Sequence, residues 1–130
     1  MSILKPRRRL IALVAGAAAI AWLPAASALA GDAAAGKTVY TTNCVSCHGD
    51  SGKGDGPVGS ALNPPPRDFS VGEFKFDTDS DGSPGTDADL KNVISKGGMA
   101  FGGSPLMAPW PNLSETDIDN LIAFIRTLKQ

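Results

Sequence analysis

The sequence predicts an all-α fold, with three or four short helices joined by long loops. Three observations lead there. Three segments pair a helix-start signal with apolar residues at helical spacing. No stretch alternates apolar and polar residues as a half-buried strand does. Residues 31–130 contain 14 Gly and 8 Pro, a composition that favours loops. The same stretch holds only 24 large apolar residues. That is a thin core for a domain of this size, so something besides side chains is expected to fill the middle.

The chain of 130 residues divides into a leader, 1–30, and a single domain, 31–130. Lys5, Arg7, Arg8 and Arg9 form a basic start, Leu10 to Leu23 an apolar run, and Ala28-Leu29-Ala30 a small-residue cleavage site. That order is the order of a secretory signal peptide. The apolar run is 14 residues long, short of the roughly 20 a spanning helix needs. The expected location is therefore the periplasm, with no membrane span in the mature chain. An uncleaved leader acting as a membrane anchor is the alternative. Residues 31–130 keep eight of the twelve basic residues and all thirteen acidic ones, a net charge of −5. This argues against nucleic acid as a partner, since neutralising phosphates takes clustered Lys and Arg.

The first helix is predicted to start after Asp32, a good N-cap, and to run toward Cys44. Residues 49–66 are rich in Gly and Pro, and Asn63-Pro64-Pro65-Pro66 cannot be helix interior. Asp77-Thr78-Asp79-Ser80-Asp81-Gly82 matches the first half of a calcium-binding loop. Its twelfth position is Ala88, where a bidentate Glu belongs, although Asp87 or Asp89 could reach in from nearby. The expectation is a solvated, turn-forming insertion that does not require calcium. Phe74 and Phe76, just before it, are expected to pack against the base of the loop or against a bound cofactor. Thr86-Asp87-Ala88-Asp89 opens the second helix, with Leu90, Val93 and Ile94 on one face and Gly97 at its end. Residues 97–111 return to loop. Ser114 and Asp117 form an imperfect capping box for the last helix, whose apolar face is Ile118, Leu121, Ile122, Ile125 and Leu128.

The chemistry lies in Cys44-Val45-Ser46-Cys47-His48, which holds the only two cysteines and the only histidine of the chain. A spacing of three puts both thiols near one face of a helical turn, where each can add to one vinyl group of a haem. The adjacent imidazole can then reach the iron. The rival readings lack partners. A redox dithiol needs a βαβ pattern. A disulfide across a two-residue gap constrains the unfolded chain little. A zinc site would lack a fourth Cys or His. With His48 used, the sixth iron ligand is Met, Lys, water or nothing, and ligation by two histidines of this chain is excluded.

On these residues the chain resembles the class I c-type cytochromes, small exported proteins with one haem. Further matches are Ser104-Pro105-Leu106-Met107-Ala108-Pro109-Trp110, similar to the family's methionine loop, and Leu121 to Leu128, similar to its C-terminal helix. The resemblance covers residues 31–130. It implies a cytochrome c fold around one covalent haem c, held by thioethers at Cys44 and Cys47, with His48 and Met107 on the iron and Trp110 packed on the haem. It further implies that the first and last helices cross through Gly36 and Tyr40 on one and Leu121 and Phe124 on the other. Met107 is preferred to Met99 because Pro105 and Pro109 restrict its backbone, while Met99 lies between Gly97-Gly98 and Gly102-Gly103.

The function expected is that of a monomeric one-electron carrier of a respiratory chain, not an enzyme. Its partners would be larger redox proteins, and the net charge of −5 implies a basic docking face on them. The competing expectations are an open-site haem protein that binds or converts a small ligand, and a cytochrome subunit of a larger redox complex.

Overall fold

Three helices with side-chain N-caps frame the molecule, and each cap is one that the sequence supplies. The computed structural model describes residues 31–130; the leader predicted over 1–30 lies outside the described residues. Helix α1 (Ala33–Asn43) starts where Asp32 accepts hydrogen bonds from the amides of Ala34 and Ala35, at 2.8 and 3.3 Å. Helix α2 (Val45–His48) follows after a break at Cys44 and ends at Gly49, whose φ of 76° reverses the chain. Helix α3 (Asp87–Lys96) and helix α4 (Glu115–Thr127) each begin with a complete capping box, Thr86 with Asp89 and Ser114 with Asp117. Short 3₁₀ turns at Gly59–Ala61 and Gly98–Phe101 are the only other regular elements among the described residues. No strand occurs among the described residues, so the all-α expectation holds. None of the described helices is long and apolar enough to cross a membrane.

The α1–α4 crossing organises the rest. Gly36 lies against the α4 backbone so closely that a Cβ there would overlap the carbonyl of Asn120 and stand 3.0 Å from the Leu121 amide nitrogen. On one side of this contact the rings of Tyr40 and Phe124 pack with centroids 5.0 Å apart. On another, the Asp32 amide donates to the Asn120 side chain at 2.7 Å. The Gly36, Tyr40, Leu121 and Phe124 crossing implied by the family resemblance is therefore present. Ile118, Leu121, Ile122 and Ile125 of α4 are all buried and join Tyr40, Phe69, Leu90 and Ile94 in one core. At α3, exposed ion pairs add a looser link to α4: Lys91 with Asp119 at 3.3 Å and Arg126 with Asp87 at 2.7 Å.

The acidic loop folds on itself. The Asp77 carboxylate accepts from the amides of Asp81 and Gly82, and Asp79 accepts from Asp81. Of the two candidates for closing the loop, the structure brings in Asp89 and turns Asp87 outward to Arg126. Asp89 is almost fully buried, and both its oxygens are engaged, one by the amide and hydroxyl of Thr78 and the other by those of Thr86. These bonds, with that from the Thr78 amide foremost, hold its carboxyl well below the usual carboxylate range. One carboxylate thus ties the acidic loop to the first turn of α3.

Candidate functional site

A cleft of about 600 Å³ opens between α2, α3 and the two long loops. Its volume is that of sites that enclose large organic ligands. Cys44, Cys47 and His48 line it from α2 and the residue before it, and Met107 and Trp110 from the loop after α3. Leu90 and Ile94 of α3 supply an apolar wall, and Pro64 and Pro65 a rim. Every site residue nominated from the sequence therefore faces one space.

Each is placed by local backbone structure. Cys44 closes the last turn of α1 by donating its amide to the Tyr40 carbonyl at 2.8 Å, and the His48 amide donates back to the Cys44 carbonyl at 2.9 Å. The two thiols and the imidazole thus share one helical turn. The Tyr40 hydroxyl donates to the Gly49 carbonyl at 2.7 Å, which pins the end of that turn to α1. On its outer side, Gly59 packs directly against the Cys47 carbonyl, where any Cβ would overlap. Met107 is held by its own backbone: its carbonyl accepts from the Gly98 amide at 2.9 Å and its amide donates to Ser104 at 3.2 Å. The Trp110 amide donates to the Ile94 carbonyl at 3.0 Å, anchoring the far end of the loop to α3. Met99 falls outside the cleft and is 70% exposed.

The electrostatics favour neutral donors. Burial, reinforced by nearby Cys47, pushes the Cys44 thiol up to about 11. A protonated, half-buried thiol resists casual oxidation. Burial lowers the His48 imidazole below its ordinary value, opposed by the bond to Arg67. His48 Nδ1 lies 3.0 Å from the Arg67 carbonyl oxygen. That carbonyl can only accept, so Nδ1 carries the proton and Nε2 is the nitrogen with a free lone pair.

Two features of this site escape the sequence. Arg67 contributes through a backbone carbonyl, which every residue possesses. Phe69 stacks on His48 with ring centroids 4.4 Å apart and planes 15° from parallel. Its only sequence signal is a lone aromatic after a proline run. Phe74 and Phe76 do line the cleft, as the sequence leads one to expect.

Two thiols, one imidazole nitrogen and one thioether around an apolar cleft fit a haem: the donors are soft or borderline and the walls are hydrocarbon. The comparisons with known proteins agree. Residues 33–129 match the Cytochrome c family. The chain is 42% identical over 103 residues to cytochrome c-554(547) of Halothiobacillus neapolitanus, a match that covers 77% of this chain and all of that one. Among solved structures it is similar to a chain of the reducing HAO-like protein complex of Kuenenia stuttgartiensis, with a TM-score of 0.62 and 35% identity. That likeness covers 73% of this chain and 41% of the larger one. With fold, donor set and relatives in agreement, the chain belongs to the cytochrome c family, the small class I c-type cytochromes, which carry covalently bound haem c.

Proposed function

We propose that this chain is a periplasmic, monomeric one-electron carrier with a single haem c, and not an enzyme. The observation that carries the reading is the convergence of Cys44, Cys47, His48 and Met107 on one apolar cleft. Cys44 and Cys47 would hold the haem there as thioethers, His48 Nε2 and the Met107 sulfur would be the donors to its iron, and Trp110 would pack alongside. When bound there, the haem supplies a reversible one-electron iron couple, raised in potential by a thioether ligand and by burial. The polypeptide's task is to keep this environment unchanged between oxidation states. Pro105 and Pro109 stiffen the Met107 loop, and the Arg67 carbonyl keeps His48 in the tautomer that leaves Nε2 free. No other histidine exists in the chain, so no distal imidazole is present to act as acid or base on a bound small molecule. Export through the signal peptide over residues 1–30 fits a protein whose thiols are consumed outside the cytoplasm.

A second reading, as a cytochrome module of a larger redox assembly, draws on the likeness to a chain of a multi-protein complex. Native mass of the purified protein separates the two: a free monomer supports the carrier, and co-purification with a fixed partner the module.

The haem assignment is tested by intact mass. Mature protein from a host that matures c-type cytochromes should exceed the chain mass by one haem, and acidified acetone should leave that haem attached. A haem that extracts into the solvent refutes thioether attachment. The axial ligand is tested by two substitutions. Met107→Ala should abolish the weak red absorption band of methionine–iron ligation, open the site to carbon monoxide and lower the potential. Met99→Leu should leave all three unchanged, since Met99 is exposed and outside the cleft. The opposite pattern would reassign the ligand.

A further inference from the structure

We propose that Phe69 is a positioning residue that fixes the plane of the His48 imidazole, through the ring stack that brings their centroids to 4.4 Å at an interplanar angle of 15°. The inference rests on the reading of His48 as axial ligand and concerns what that reading leaves open, namely the ring's rotation.

A histidine ring turns about a soft, broad torsion, so its orientation has to come from its surroundings. The bond from Nδ1 to the Arg67 carbonyl restrains that torsion at one edge of the ring, within the distance and angle tolerance of a single hydrogen bond. A flat surface against the imidazole face removes the remaining freedom, and Phe69 provides it. Phe69 is itself immobilised. It is 9% exposed, its amide donates to the Gly52 carbonyl at 2.6 Å, the ring of Tyr40 meets it edge-on at 6.5 Å, and Phe74 lies behind it at 5.9 Å. Both constraints on His48 come from one loop. Arg67 supplies the carbonyl, and two residues later Phe69 supplies the ring. The loop is closed by the Arg67 guanidinium, which donates to the Glu73 carbonyl, and by Asp68, which accepts from the amide and hydroxyl of Ser70 at 2.8 and 2.6 Å. Packing for its own sake would be satisfied by an aliphatic side chain of similar volume. A near-parallel stack between a rigid phenyl and the one imidazole of the site is specific to a planar partner.

In the haem-loaded, oxidised protein the orientations of the His48 ring and of the Met107 thioether together set how unpaired spin is distributed over the macrocycle. With Met107 unchanged, a turn of the His48 ring is therefore read from the paramagnetically shifted haem methyl resonances. For Phe69→Leu, which keeps apolar volume but loses the flat face, the methyl shifts should reorder or compress, and their dependence on inverse temperature should become curved as the imidazole rocks. Phe69→Tyr should restore the native pattern. The mass increment and the red absorption band should be native in both variants. A native methyl pattern in Phe69→Leu overturns the proposal. Should Phe69→Leu fail to accumulate, the native protein decides alone. Nuclear Overhauser contacts from the Phe69 ring protons to the hyperfine-shifted His48 ring protons support the stack, and their absence overturns it. Absence of hyperfine-shifted His48 resonances from the native protein would instead refute the ligand assignment itself, independently of Phe69.

Discussion

Replacing Gly36 by alanine tests the helix crossing on which the site is built. In an isolated helix the change is favourable by about 1 kcal/mol, because alanine is the better helix former. Here the new methyl would overlap the Asn120 carbonyl and sit 3.0 Å from the Leu121 amide nitrogen, where ordinary contact begins at 3.4 Å. Both neighbours are helix backbone and cannot rotate away, so α1 must move off α4 by about 1 Å. A gap of that size forfeits a quarter to a half of the dispersion energy across the contact. Overpacking of this kind costs about 3 kcal/mol, at the upper end because neither side yields. The net destabilisation is about 2 kcal/mol. For a domain of about 100 residues that lowers Tm by roughly 8–16 °C. The assay is thermal unfolding of the haem-loaded protein followed by far-ultraviolet circular dichroism, with exposed Lys37→Ala as a control expected within about 0.5 kcal/mol of the parent. A Gly36→Ala protein as stable as the parent, or more so, would refute the close approach, since helix propensity would then have prevailed unopposed.

Three other outcomes are expected. A calcium chelator should leave Tm unchanged, because the oxygens of Asp77, Asp79 and Asp89 already accept internal hydrogen bonds; a clear fall would show that an ion contributes. Asp89 has a depressed carboxyl pKa in the folded protein. Its stabilising contribution is therefore complete above the unfolded value of about 3.9 and is lost as pH falls toward the folded one. Stability curves of the parent and Asp89→Asn should converge in acid, and curves that stay parallel would dismiss the assignment. The rate of electron exchange with a purified redox partner should fall as salt rises, given the net charge of −5 on residues 31–130; a rate that is flat or rises would reject a basic docking face.

The helices were legible because their signals are local. Asp32, Thr86 and Ser114 announce their caps in sequence, and the spacing from Ile118 to Leu128 draws the buried face of α4. The Cys44 to His48 turn was legible because its chemistry restricts residue types at fixed spacing. The preference for Met107 over Met99 came from proline and glycine placement, and the structure puts Met107 in the cleft and Met99 in solvent. What stayed hidden depends on distant pairing. The capping box with Thr86 marks Asp89 locally, but its second oxygen is taken by Thr78, eleven residues back, a pairing that residue spacing does not announce. Helical phase turns Asp89 inward to Thr78 and Asp87 outward to Arg126. The Arg67 carbonyl was invisible for a different reason, since a backbone acceptor leaves no trace in residue identity.

Asp89 also bears on the energy of any charge placed in the cleft, since it lies in the cleft wall. Its depressed pKa means that it remains an anion throughout the neutral range. Burial leaves it poorly screened, so added salt weakens its field less than that of a surface carboxylate. Such a fixed anion favours the more positive of two oxidation states and so lowers the potential of a redox group beside it. The offset is constant, because above about pH 5 no proton enters or leaves Asp89. The same carboxylate that fastens the acidic loop to α3 would therefore act as a fixed bias on a redox group held in the cleft, and Asp89→Asn should raise the midpoint potential of the haem-loaded protein by the same amount at every pH above that point.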